Sequence, residues 1–249
     1  GTSTWVSIAC GYDHSLAITE DGKLWAFGSN AWGQLGVGDN VDRSTPTEVP
    51  KPVGVTSWIS VWAGAYHSIA LGNDGKLYSW GWNYYGQLGT ANTTQQTSPV
   101  AVASAAVMGA ISWVSAGYGA TYALSTDGKL FAWGRNDMGQ LGISGVTVYK
   151  PTQVPLPPGA TAFTHVSSGA QHVIITTADN HVYVTGSNAN GQLGDGTITT
   201  RTALSQILRA DGSAMTGQGW ATDNATYQLG TSGGVWAWGS NAYKQIGDT

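Results

Sequence analysis

His14, His67 and His172 are the side chains best suited to proton transfer in this sequence, and Asp13-His14-Ser15 holds the three residue types of a nucleophilic triad. The three histidines share one position of a repeat, where Ala120 and Ala225 stand in other copies. A group that recurs copy after copy fills a structural role, and consecutive strand residues point to opposite faces, so the triplet cannot converge on one atom. Asp39, Asp195 and Asp211 could offer oxygens to a calcium ion, but the ligand spacing of a calcium loop is missing. Cys10 is the single cysteine, so no intrachain disulfide can form, and the apolar run around it predicts a small buried side chain. Nothing matches a phosphate loop, His-Glu-x-x-His or a cysteine pair. The expectation is no enzyme, no catalytic residue, no metal and no cofactor.

The elements that position these residues are set by a repeat. The stretch from Gly28 reads G-S-N-A-W-G-Q-L-G, and related stretches start at Gly81, Gly134, Gly186 and Gly239. Their glutamines, Gln34, Gln87, Gln140, Gln192 and Gln245, lie 53, 53, 52 and 53 residues apart. So constant a period marks a repeat architecture. Glycines at both ends of a short loop supply positive φ, and an amide side chain can satisfy the backbone between them, which makes each motif a structural turn.

Between the turns, short runs rich in Val, Ile, Trp and Phe, bounded by Gly and Asp-Gly, predict strands. Asp21-Gly22, Asp74-Gly75, Asp127-Gly128, Asp179-Asn180 and Ser232-Gly233 predict type I′ hairpins. A fourth run carries Pro46, Pro99 or Pro151, which suits an edge strand, and the copy at Thr202–Ser205 has no proline. Four antiparallel strands in about 50 residues are a propeller blade. The prediction is an all-β, single propeller domain over 1–249, with repeats at about 5–57, 58–110, 111–162, 163–215 and 216–249. Only four copies of the outer strand exist for five of the others, so the last blade is one strand short. Trp25 and Phe27 share a strand face, as do Tyr78 and Trp80, Phe131 and Trp133, and Trp236 and Trp238. Such a face is expected to pack on the small-residue face of the next blade, with Tyr183 and Thr185 making repeat four the weak point.

The pattern hydrophobic-x-x-Gly-x-x-His-Ser, then Asp-Gly-Lys-Leu-aromatic-x-aromatic-Gly, then Asn-x-x-Gly-Gln-Leu-Gly resembles the repeat of the regulator of chromosome condensation family. The resemblance runs through the whole chain in five copies and implies a β-propeller, usually of seven blades. It also implies an interaction platform, since relatives serve as a nucleotide exchange factor for a small GTPase, as ubiquitin-ligase modules and as secreted inhibitors. Gaps of 28, 28, 27 and 28 residues between one motif and the next hairpin leave no room for an exchange wedge.

Composition narrows the partners. Charged residues are 10% and the formal net charge is −4, which excludes a basic nucleic-acid footprint. No apolar run approaches the roughly 18 residues of a membrane span. The Gly-, Thr- and Trp-rich composition points to a bacterial or viral exterior, extracellular or surface-exposed, and an opening Gly1 suits a processed or excised piece. Within the glutamine loops the variable residues Trp32, Tyr84, Tyr85, Met138, Asn190 and Tyr243 predict an aromatic ring on one propeller face. Tyr12, Asp13, Tyr66, Tyr118 and Gln171, in the loops between the first two strands, form a second surface. The leading function is a non-catalytic module docking a protein or glycoconjugate. A structural subunit of a virion, fibre or surface array, with another copy or a neighbouring chain completing the last blade, is the alternative. A lectin or a secreted enzyme inhibitor is the other.

Overall fold

The computed structural model describes residues 4–103 and 105–247. Five antiparallel sheets follow one another along the chain. Blade 1 is Trp5–Cys10, His14–Thr19, Leu24–Gly28 and Arg43–Glu48, paired in that order. Blade 2 is Trp58–Ala63, His67–Gly72, Leu77–Gly81 and Gln96–Ala101, and blade 3 is Ile111–Ala116, Ala120–Ser125, Leu130–Arg135 and Thr147–Gln153. Blade 4 is Phe163–Ser168, His172–Thr177, Val182–Gly186 and Arg201–Gln206. Blade 5 has three strands, Gly217–Ala221, Ala225–Gly230 and Val235–Gly239, and no described strand fills its outer edge. A four-residue helix, Ala105–Met108, precedes blade 3. The proline-bearing strands pair on one side only, where a missing donor costs no ladder bond.

The hairpins differ from the type I′ expectation. Gly22 N–H donates to the Thr19 carbonyl (2.8 Å) and Thr19 N–H to the Lys23 carbonyl (2.9 Å). Positive φ falls on Gly22 (74°) and on Asn180 (63°), not on the Asp before either. This is a type I turn followed by one left-handed residue, a three-residue loop with a glycine bulge. The extra loop residue restores the strand twist that a bare type I turn would disturb.

Packing runs opposite to the expected direction. Tyr78 and Trp80 of blade 2 lie in one core with Leu16, Leu24 and Ala26 of blade 1, and Phe131 and Trp133 of blade 3 pack on Leu77 of blade 2. Each aromatic face therefore covers the small-residue face of the preceding blade. The two end faces are uncovered: Ile8 is 74% exposed where Val61 is 3%, and Val235 is 70% exposed where Leu24 is fully buried. Cys10 is another correction, because it is exposed. It ends an inner strand, where its counterparts Ala63, Ala116, Ser168 and Ala221 also face the central channel rather than a blade interior.

Polar bonds fasten the junctions. The Gln34 carbonyl accepts from Ser68 Oγ (2.7 Å) and Trp80 Nε1 (2.9 Å) of the following blade. Gln87 accepts from Thr121 and Trp133, and Gln192 from Thr226 and Trp238, in the same way. Blade 4 has Val173 and Thr185 instead of a hydroxyl and a tryptophan. There the Gln140 carbonyl takes the hydroxyl of Tyr122 from its own blade (2.7 Å), and Thr185 Oγ1 donates to the Gly139 carbonyl (2.8 Å). Tyr183 and Thr185 are both buried.

Two substitutions separate these arrangements. Trp133→Phe leaves the Gln87 carbonyl one side-chain donor and also removes ring atoms from a fully buried site, so it should cost about 2–3 kcal/mol. Tyr122→Phe strips the Gln140 carbonyl of its side-chain donor and should cost about 1–3 kcal/mol. In thermal unfolding, an unchanged Tm for Tyr122→Phe would contradict the assignment of its hydroxyl to the Gln140 carbonyl.

Candidate functional site

The glutamine loops hold their shape through their own side chains. Asn30 Oδ1 accepts from Leu35 N–H (2.9 Å) and Gln34 Oε1 from Trp32 N–H (2.8 Å). The same pair of bonds is made by Asn83 and Gln87, Asn136 and Gln140, and Asn188 and Gln192. In blade 5, Gln245 Oε1 accepts from Tyr243 N–H (2.9 Å) and Asn241 Oδ1 from Ile246 N–H (3.2 Å). The asparagines and glutamines of blades 1 to 4 are buried and serve the turn, leaving the residues between them free to face outward.

A backbone bond then ties each glutamine loop to the first-to-second strand loop of its own blade. Trp82 N–H donates to the Tyr66 carbonyl (2.9 Å), Ser29 to Asp13 (2.8 Å) and Arg135 to Gly119 (2.7 Å). Hence the two surfaces expected separately are one face. Trp82 is its hub, with ring centroids 5.9 Å from Trp32 and Tyr66, 6.3 Å from Tyr84, 5.5 Å from Tyr85 and 5.3 Å from Tyr118. Tyr12 extends the row, 5.8 Å from Tyr66. The Arg135 guanidinium lies 5.0 Å from the Tyr85 ring centroid and is bidentate to Asp137. Gln171, in the amide orientation that satisfies both groups, accepts from Arg135.

The other expected ring members do not join this cluster. Met138 is half-buried, Asn190 is exposed, and Tyr243 stands 90% exposed with no ring partner among the described residues. Trp82 and Arg135 escape a reading confined to the two residues between Asn and Gly. They occupy the position before the Asn, where the other copies carry Ser29, Ser187 and Ser240. A second aromatic row, Trp62, Trp113, His165 and Trp220, runs from blade to blade with centroid spacings of 6.4, 6.5 and 5.7 Å. Trp113 and His165 share one strand position and Trp62 and Trp220 another, so no single repeat column reveals the row.

The recurring histidines are fasteners. His14 Nε2 lies 3.0 Å from Ser68 Oγ, His67 Nε2 2.9 Å from Thr121 Oγ1 and His172 Nε2 2.9 Å from Thr226 Oγ1. Each hydroxyl proton goes to a glutamine carbonyl, so the hydroxyl accepts and Nε2 carries the imidazole proton. The Nδ1 atoms are buried without a partner, beside Gly11, Gly64 and Gly169. A side chain at those glycines would collide with the ring and with the next blade's carbonyl. Where Ala120 replaces the histidine, Val173 replaces the hydroxyl.

Five blades, three of whose four junctions carry such a fastener, with an aromatic cluster spread over loops of three blades, define a β-propeller scaffold. The RCC1-like domain profile matches residues 1–219, and the chain belongs to that family. It is 36% identical over 210 residues to the ultraviolet-B receptor UVR8 of Arabidopsis thaliana, covering 83% of this chain and 47% of the receptor. It is 35% identical over 209 residues to the probable E3 ubiquitin-protein ligase HERC6 of Homo sapiens, covering 82% and 20%. The chain thus spans less than half the length of these relatives. Human WBSCR16 superposes with a TM-score of 0.82 at 23% identity, over 98% of this chain and 63% of that one. Prp20p of Saccharomyces cerevisiae does so at 0.77 and 24%, over 90% and 55%.

Burial lowers the imidazole pKa from 6.5 to about 4 at His14 and His172 and to about 3 at His67, where His14 adds to the effect. The unfolded chain binds these protons first. The contribution of the neutral rings is therefore complete above about pH 6.5 and is lost as pH falls toward the folded values, at up to about 2–3 kcal/mol per ring by pH 4.5. Tm measured from pH 7.5 to pH 4.5 should fall steeply. His172→Ala combined with Thr226→Val, which copies the pairing of Ala120 with Val173, should flatten that slope, and an unchanged slope would refute the assignment.

Proposed function

We propose that this chain is a non-catalytic binding module that docks a protein on the face centred on Trp82. The observation that carries this reading is the contact-linked cluster of Trp32, Trp82, Tyr12, Tyr66, Tyr84, Tyr85 and Tyr118, fed by loops from blades 1, 2 and 3. Trp and Tyr contribute large contact area for little lost conformational entropy, and they dominate binding hot spots. A cluster whose rings already pack on one another is preorganised. Several members stay accessible, with Trp32 41% and Tyr84 69% exposed. Proteins of the same fold support the class: Prp20p binds Gsp1p and histones, and yeast RCC1 is bound by Kap60. The setting at a bacterial or viral exterior is carried in this proposal on composition alone.

Trp82→Ala should weaken capture of the native partner by about 2 kcal/mol or more, roughly 30-fold, while the far-ultraviolet spectrum is retained. Val53→Ala, which alters an exposed residue in the segment after the outer strand of blade 1, should leave capture unchanged. Equal capture by both variants would remove the aromatic face from the reading, and loss of an oligosaccharide rather than a protein would make the module a lectin.

A further inference from the structure

The mouth of the central channel adjoins the aromatic face and has a charge of its own. It opens into a cavity of about 650 Å³ whose lining includes Gly11, Tyr12, Gly64, Tyr118, Asp223 and Tyr243. The glycines and small residues of the inner strand ends leave the space. Tyr12, Tyr66 and Tyr118 stand in a row at its rim, with successive centroids 5.8 Å apart.

Acidic groups elsewhere are largely matched at short range: Asp21 with Lys23, Asp39 with Arg43, Asp127 with Lys129 and Asp195 with Arg201, for example. Asp13 and Asp223 have no ion pair among the described residues. The Asp13 carboxylate accepts one long bond, 3.4 Å from Gln34 Nε2. Both carboxylates act on Tyr66, whose phenol is held above its usual pKa by burial first, then by Tyr118, Asp13, Tyr12 and Asp223. Arg135, the cation that stacks on this face, is already committed to Asp137. No described cation therefore compensates the negative potential at the rim.

We propose that this rim receives an arginine or lysine side chain from an extended segment of the protein partner, held over the faces of Tyr12, Tyr66 and Tyr118 between Asp13 and Asp223. The inference rests on the reading of the aromatic face as a protein-docking surface and names the chemistry of what docks there. A cation over an aromatic face is attracted by the ring quadrupole, and nearby carboxylates add a charge-matched anchor. Phosphate-rich ligands are repelled by the same carboxylates. One cation–π contact is worth only about 0.5–2 kcal/mol, so a free small cation would be held weakly. A protein segment adds the contacts of the adjoining Trp82 cluster.

The test uses the full chain and labelled Gly-Ser peptides carrying paired arginines, paired lysines or paired glutamates, followed by fluorescence anisotropy. The arginine and lysine peptides should bind about tenfold tighter than the glutamate peptide, and roughly fivefold weaker to the Asp13→Asn, Asp223→Asn double variant. Raising salt from about 50 to about 500 mM should weaken them further, because rim charges at the surface are screened. Equal binding of basic and acidic peptides, absence of basic-peptide binding, or indifference to the double substitution would overturn the proposal. If native-partner capture still depends on Trp82 in any of those cases, the docking face stands and only the basic occupant is wrong. If capture is indifferent to Trp82 as well, both fail.

Discussion

One backbone carbonyl per blade, that of the loop glutamine, governs how neighbouring blades meet. It sits in the turn between the third and fourth strands, where no sheet partner reaches it, and burial there is costly unless a donor arrives. In three junctions the donors come from the following blade, a hydroxyl and an indole. The hydroxyl then has lone pairs to spare and accepts from the preceding histidine. The histidine ring needs space, and a glycine at the inner strand end supplies it. Glutamine, hydroxyl, tryptophan, histidine and glycine thus form one chain of requirements beginning at a single oxygen.

The binding face depends on that frame. Because Asn and Gln side chains close each loop internally, the two residues between the Asn and the positive-φ Gly are free to vary. A backbone bond from the residue after each third strand brings the two loop sets of a blade together. In blade 2 that residue is Trp82, so the bond that aligns the loops also places an indole between them. The aromatic cluster is therefore rigid for the same reason that the blades are regular.

Much of the fold was legible because a period of 53 residues repeats both apolar pattern and turn residues, and each copy corroborates the others. The three-stranded fifth blade could be read from a missing outer-strand run. What was not legible depends on the third dimension. Asp-Gly suits two hairpin types, and only the hydrogen bond from Gly22 back to Thr19 decides between them. Alternation gives the two faces of a strand but not which neighbour each face meets, so the packing direction came out reversed. Cys10 sits in an apolar run, yet its strand end faces a channel that no linear pattern announces. Trp82 was missed since its column holds serine in three of five copies, and Trp62, Trp113, His165 and Trp220 align only in space.

The junctions also come in two kinds, and this gives the order of blades a meaning. Blade 5 carries Ala225-Thr226-Tyr227 where blade 3 carries Ala120-Thr121-Tyr122, and Tyr227 reaches the Gln245 carbonyl as Tyr122 reaches that of Gln140. Its outward face is thus cut to fit a surface like that of blade 4, with Val173 and Thr185, and not one like that of blade 1, with Ser15 and Phe27. Blades that look alike in sequence are consequently not interchangeable parts. Copying or transposing one of them would set a histidine against a valine or a tyrosine against a tryptophan, so such an array can lengthen without mismatch only when both sides of a joint are duplicated together.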